Sequence, residues 1–486
     1  YTTGWRSVNL KQHNIFLNFS FSTVTIDSSS TLTLTYNLDL VFQSSNGSGF
    51  SGMHFELISG GVQFHATPFY GGIGLVSDSG GEVGASFSLG SKIYNGSSTP
   101  DIVPNILKYH HGVRSKEMSI DMSTSHTETV SVPSYWTKGL VRNADTGTDY
   151  HKIQYAIDNA SAGHTLNVWA WTYNEAILID ESITLIGNSS ATTNIIAGTD
   201  EYDSDDPYVV KITADNVVVK NLNFTATTSD FDILYSSNND SISLLSNIFY
   251  YSSAYDSSTR TVKLVNGDNH TISGNIIYHG EGSLWLNGVT NSLVNNNLLA
   301  SSGNGGSLHM EFSDNNIIEN NTLDDSYYGM YFADSDYNII RNNTVISQMS
   351  NCSTCTSYAA IRIESSHNNT IIANNVTLSE KGIRIGGSTS RDNNIIDNSI
   401  SDNNFGIHFY ANADYNKVEG NVIKDSTNYG VRIDNSTDIY FWNNTIVSSG
   451  TNDIYLKDEA INNYVINTTF STVSVDSSSS LFIKEY

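Results

Sequence analysis

The sequence predicts an all-β chain: an antiparallel β-sandwich, then a solenoid of stacked parallel coils with a helix over its entrance. Three observations predict this. The first 140 residues alternate polar and apolar side chains at period two, the second half repeats every 23 residues or so, and one amphipathic helical segment lies between them.

The alternation shows in Thr23-Val-Thr-Ile26 and Thr31-Leu-Thr-Leu-Thr-Tyr36, with Gly- and Ser-rich turns such as Ser44-Ser-Asn-Gly-Ser-Gly49 between the runs. Successive strand side chains point to opposite faces, so this pattern half-buries each strand and predicts an immunoglobulin-like sandwich over 1–140. The segment from Asp149 to Ala160 places Ile153, Ala156, Ile157 and Ala160 on one helical stripe, with Gly163 as a stop. Short strand signals follow at 166–170, 175–179 and 183–187, so 141–198 reads as a capping helix with the first coils. A solenoid needs such a cover because an open terminal rung exposes both its core and its hydrogen-bonding edge.

Coils occupy 199–470. Each carries a small residue, an apolar–variable–apolar triplet, a gap and an Asn, as in Gly382-Ile-Arg-Ile385, Gly406-Ile-His-Phe409 and Gly430-Val-Arg-Ile433. Parallel coils stack about 4.8 Å apart, so like positions form columns. An Asn at a turn can then bond its neighbours above and below. The predicted ladder runs Asn275, Asn297, Asn321, Asn343, Asn375, Asn398, Asn421 and Asn444, with Asn467 after it, and the longer step after Asn343 marks an inserted loop.

Residues 145–198 and the Asn-rich coils resemble the carbohydrate-binding and sugar-hydrolase type of right-handed parallel β-helix found in secreted and surface proteins of bacteria and archaea. The matching residues are Lys152-Ile-Gln-x-Ala156-Ile157, Ala162-Gly163, Tyr173-Asn-Glu175 and Ile183-Thr-Leu-Ile-Gly187. The resemblance covers 145–470 and implies the fold. The family includes enzymes, binding modules and structural repeats, so it leaves the chemistry open.

A second repeat links the two ends. Residues 21–34 (FSTVTIDSSSTLTL) echo 470–483 (FSTVSVDSSSSLFI), and Asn14 and Asn18 match Asn463 and Asn467. The exit strand 471–486 thus resembles 21–36. This suggests units that tile head to tail, within a longer polypeptide or between copies, with a common exit motif used twice as the alternative.

In a Gly-Φ-x-Φ strand the two Φ side chains point inward and x points out. Reading x along the stack gives Lys211, Leu234, Lys263, Trp285, His309, Tyr331, Arg362, Arg384, His408, Arg432 and Tyr455. Five of these eleven are Lys or Arg, in a chain with 23 bases against 49 acids. The bland reading is a sheet face covered by Arg stems and rings, with Arg362, Glu364 and Arg384 in a local ion pair. The functional reading is a binding stripe in which rings stack on sugars and Arg grips carboxylates of a glycan or a neighbouring subunit.

A net charge of −26 argues against nucleic-acid binding, and no apolar run is long enough to span a membrane. Cys352 and Cys355 predict a disulfide stapling an exposed loop. Sequons at Asn18, Asn46, Asn95, Asn159 and Asn188 predict glycosylation, and both point to an extracellular or cell-surface location. No cofactor is called for, although Asp203, Asp205 and Asp206 form a weak calcium candidate. His309 and His408 stand four rungs apart, too far to share a metal. On the stripe, Glu311 and Glu364 lie two rungs or about 10 Å apart, too far for a catalytic carboxylate pair. The sequence therefore predicts no enzyme. It predicts a structural protein assembling with itself into a surface filament, sheath or layer, the alternative being a glycan-binding or polysaccharide-degrading protein acting along the Arg/aromatic stripe.

Overall fold

The computed structural model describes residues 140–485 apart from the loops 198–207, 228–231, 252–259, 279–281, 301–305, 325–327, 347–357 and 388–389. Before residue 140 it describes the strands and a few residues beside them. Asn18, Asn46, Asn95, Cys352, Cys355, Asp203, Asp205 and Asp206 lie outside the described residues. Two compact units are present, Tyr1–Lys138 and Gly139–Tyr486.

Among the described residues the first unit contains two sheets. One is built around the long strand Leu32–Ser44, the other around His54–Ser59 and Ile106–His111. Alternation along Leu32–Ser44 sends Leu38, Leu40 and Phe42 into a core shared with Phe55 and Tyr109 of the other sheet. The Phe42 ring centre lies 6.4 Å from that of Phe55 and 5.8 Å from that of Tyr109. Pairing here is mixed, not antiparallel throughout. Leu32–Ser44 runs antiparallel to Phe87–Tyr94 but parallel to both Asn14–Leu17 and His126–Val132. Period-two alternation reports burial on one face and carries no information about strand direction.

The second unit is a parallel β-solenoid. Among the described residues its coils build three sheets of sixteen, twelve and thirteen strands, here called walls A, B and C. One coil shows the plan: Ile317–Glu319 in wall A, Thr322–Asp324 in wall B and Met330–Ala333 in wall C, after which Ile339–Arg341 pairs in parallel with the first. Each strand sends alternate residues inward, so Ile318, Leu323, Met330 and Phe332 are all fully buried. Burying each such side chain contributes about 1.5–3 kcal/mol, repeated coil after coil.

The helix Ile153–Asp158 belongs to this core through Ile153, Ala156 and Ile157. The Glu175 carboxylate accepts from the N–H groups of Ile153 and Gln154 at 2.9 and 3.2 Å, satisfying two of the donors a helix start leaves open. The Gln154 amide accepts from the Leu178 N–H at 2.7 Å and donates to its carbonyl at 3.1 Å. A side-chain amide thus serves the backbone of wall C's first strand as a neighbouring strand would.

The corners of wall A hold two Asn ladders. In the first, each backbone N–H and side-chain amide donate to the Oδ1 of the next Asn, as from Asn297 to Asn321 at 3.0 Å for both. The second ladder, through Asn316, Asn338, Asn369, Asn393 and Asn416, lies five residues upstream. The first runs through Asn374, not Asn375 as the sequence suggests. Asn374 is 1% exposed and Asn375 lies on the surface. At several coils the ladder Asn is the second of an Asn-Asn doublet whose first member takes a left-handed φ, as Asn296, Asn320 and Asn342 do, while Ser246, Gly274, Asp397 and Gly420 take that place at others. At this coil Ala373 takes the left-handed position with φ 56°, shifting the doublet by one. Asn467 is likewise the left-handed residue, and Thr468 occupies the ladder position, accepting from the Asn444 N–H at 3.3 Å.

Candidate functional site

The outward face of wall C carries three files of side chains. The central file runs Lys211, Tyr235, Lys263, Trp285, His309, Tyr331, Arg362, Arg384, His408, Arg432 and Tyr455, each opposite the next. The sequence reading placed Leu234 here. Leu234 is fully buried, and Tyr235 takes the outward place. The inward residue after it is Ser236, 2% exposed and donating to the Ile212 carbonyl at 3.0 Å. A polar residue at an inward position hid the phase of the strand.

A second file lies two residues further along each strand and supplies the carboxylates: Asn287, Glu311, Ala333, Glu364, Gly386, Tyr410, Asp434 and Lys457. The third lies three residues before the central one and includes Lys381, Phe405, Tyr429 and Asn452. Asp434 ends the strand Tyr429–Asp434 and faces the stripe.

Glu364 organises the middle of this face. Its Oε2 accepts from Arg362 at 2.6 Å and Tyr331 at 2.9 Å, and its Oε1 accepts from Tyr410 at 2.6 Å. Tyr410 sits two rungs away and reaches Glu364 because Gly386 stands between them. A Cβ on Gly386 would lie 1.7 Å from the Tyr410 ring. Arg384 stacks on the same ring at 3.8 Å, while Arg362 lies over Tyr328 and Tyr331. Burial pushes the Glu364 carboxyl up, but the hydrogen bonds from Tyr410, Arg362 and Tyr331 carry it below its ordinary value. Burial, with Glu364 beside it, raises the Tyr331 phenol.

A second cluster surrounds Phe405. His408 Nε2 lies 3.1 Å from Asp434 Oδ2, and Arg432 bonds the same carboxylate through Nε at 2.9 Å. Lys381 Nζ is 3.7 Å from Glu380 and 5.3 Å from the Phe405 ring centre. Burial draws the Lys381 ammonium down to about 8, Glu380 opposing it. Burial also draws His408 down to about 4, against Asp434 and with help from Arg432 and Lys381. The imidazole is therefore neutral near pH 7. Toward the other end, Trp285 lies between His309, 5.8 Å away, and Lys263, 5.3 Å away.

Although outward, Arg384 and His408 are only 8% and 7% exposed. Both side chains are sunk among rings and carboxylates, whereas the other nine residues of the central file are partly exposed. Of the sequon residues described, Asn159 and Asn188 are both exposed.

A family model described as NosD, periplasmic copper-binding protein, matches residues 174–389 and 347–480. No curated protein matches the chain. Among solved structures, the chain is similar to the Azotobacter vinelandii mannuronan C-5 epimerase AlgE6 A-module at 14% identity and TM-score 0.35, covering 69% of this chain and 84% of that one. It is similar to DFA-IIIase from Arthrobacter chlorophenolicus A6 at 12% identity and TM-score 0.42, covering 64% and 88%. It is similar also to the periplasmic alginate epimerase AlgG at 12% identity and TM-score 0.38, covering 66% and 84%. All three are enzymes by their titles, which corrects the sequence-based expectation that the chain is not an enzyme.

The family description names copper. Among the described residues no three His, Cys, Asp or Glu side chains converge to hold a metal ion. His309 pairs with Glu311 and His408 with Asp434, four rungs apart. This described donor set does not fit a copper centre. No helix among the described residues is long and apolar enough to cross a membrane. With the family model spanning most of its coils, the chain belongs to the NosD family of periplasmic β-solenoid proteins.

Proposed function

We propose that this chain is an extracytoplasmic carbohydrate-active β-solenoid that holds an acidic glycan along the outer face of wall C. The observation that carries the reading is the central file, in which cations and aromatic rings follow one another rung by rung for eleven rungs. Stacked rungs about 4.8 Å apart offer ring faces to sugar rings and N–H donors to carboxylates at a repeating interval. The neighbours named as alginate and mannuronan epimerases favour this reading over a purely structural filament. In the same reading, the first unit is a two-layer sandwich and the helix Ile153–Asp158 is the lid of the first coil.

The experiment is retention of the intact protein on immobilised alginate, with dextran as the neutral control. Salt-sensitive retention on alginate alone is expected. Lys263→Ala with Trp285→Ala should weaken it about tenfold or more, as expected for losing one ion pair and one stacking partner, without a fall in melting temperature. Equal retention by the double variant would remove the stripe from the binding site.

A further inference from the structure

The outer face of wall C is not uniform in charge. Its first four rungs carry Lys211, Tyr235, Lys263 and Trp285 in the central file. Two residues further along each strand stand Thr213, Ser237, Val265 and Asn287, none of them a carboxylate. Three residues before the central file stand Tyr208, Asp232, Arg260 and Gly282. The three files of these rungs therefore hold the cations Lys211, Arg260 and Lys263 against the one carboxylate of Asp232. Further along, the balance changes. His309 pairs with Glu311 at 3.1 Å, Arg362 with Glu364 at 2.6 Å and Arg432 with Asp434 at 2.8 Å. The carboxylate file stands beside the later rungs and is missing from the first four.

Within those four rungs cation and ring alternate. Rungs are about 4.8 Å apart, so Lys211 and Lys263 are separated by about 9.6 Å along the stack, with Tyr235 between them. Each ammonium is held between rings. Lys211 Nζ lies 5.1 Å from the Tyr208 ring centre and 5.8 Å from that of Tyr235. Lys263 Nζ lies 5.2 Å from Tyr235 and 5.3 Å from Trp285. Arg260 lies over Trp285 at 4.9 Å. Asp232 accepts from the Arg260 N–H at 2.8 Å and is 3.7 Å from Lys263 Nζ. One residue of an extended glycan spans about one rung, so charge recurs here every second sugar.

We propose that Lys211–Trp285 is the anion-reading stretch of this face, and that its ligand is a glycan in which an acidic sugar alternates with an uncharged one. This rests on the glycan reading above and narrows its substrate class. An ammonium meets each acidic residue, and the ring on the rung between meets the uncharged one. A glycan charged at every residue would set a carboxylate against the Tyr235 ring, whose negative face attracts cations and repels anions.

Binding of the intact protein to three oligosaccharides of equal length tests this. They are hyaluronan, in which a uronate alternates with an N-acetylated sugar, oligogalacturonate, charged at every residue, and uncharged maltodextrin. Hyaluronan should bind about tenfold tighter than oligogalacturonate, and maltodextrin not measurably. Lys211→Gln and Lys263→Gln should each weaken hyaluronan binding about tenfold, the loss of one charge-assisted contact. Tyr235→Lys places a cation on the rung between and should shift the preference toward oligogalacturonate, with circular dichroism checking the fold of each variant. Oligogalacturonate bound as tightly as hyaluronan, or a preference that Tyr235→Lys leaves unchanged, overturns the alternation while the acidic-glycan reading stands. Hyaluronan binding unaltered in both Lys variants overturns the placement on these rungs. Binding of neither acidic glycan overturns the inference and the glycan reading together.

Discussion

Replacing Asn374 or its neighbour Asn375 by Ala should have very different costs, although the residues are identical and adjacent. The Asn374 Oδ1 accepts from the backbone N–H of Asn343 at 2.9 Å and from its side-chain amide at 3.0 Å. The Asn374 Nδ2 donates to the Ile340 carbonyl at 2.9 Å and to Asn398 Oδ1 at 3.0 Å. Truncation leaves at least the Asn343 N–H and the Ile340 carbonyl buried with no replacement partner. Each such group costs about 1–3 kcal/mol, so Asn374→Ala should destabilise the solenoid by about 2–6 kcal/mol. Asn375 faces solvent, and its surface truncation should stay within about 0.5 kcal/mol. Urea unfolding followed by circular dichroism, with both variants and the parent at one pH, measures the difference. Equal costs, or a larger cost at Asn375, would refute both the ladder register and the view that the left-handed Ala373 sets it.

Two further outcomes follow from the outer face. Gly386→Ala should displace the Tyr410 ring, break its hydrogen bond to Glu364 and cost about 1–3 kcal/mol as an overpacked contact. Adding Tyr410→Ala should recover part of that loss, and a double variant no more stable than Gly386→Ala would show that the ring is not the obstacle. His408 titrates at about 4 in the fold against an ordinary 6.5, so between those values the unfolded chain binds its proton more readily. Its contribution is present in full above about pH 6.5 and lost as pH falls toward 4, on the order of 3 kcal/mol. The urea midpoint should therefore fall over that interval, and His408→Gln should flatten the slope. An unchanged slope would mean that the imidazole is not held neutral.

The repeat period, the inward apolar columns and the helix at 153–158 were legible in the sequence because each depends on local spacing. Strand phase was legible where the inward residues were apolar, as at Ile383 and Ile385, and failed at Leu234, where Ser236 faces inward. The second Asn ladder was also there to be read. Asn316 and Asn321, Asn338 and Asn343, and Asn369 and Asn374 are each five apart, flanking a three-residue strand. The carboxylate file was not legible in the same way. Glu364, Gly386, Tyr410 and Asp434 become neighbours only when successive strands align, and the reach of Tyr410 to Glu364 needs the empty place at Gly386.

By itself the sequence determined a stacked all-β chain with an outward line of cations and rings, because period and alternation are properties of one strand and its repeat. Only the tertiary structure decided how those cations are held. Burial among rings, with Arg362 over Tyr331 and Arg384 over Tyr410, depends on side chains 31 and 26 residues apart in sequence meeting across rungs. The structure likewise showed that the echo between the two ends is a shared strand register, since sequence similarity does not report which backbone pairs with which.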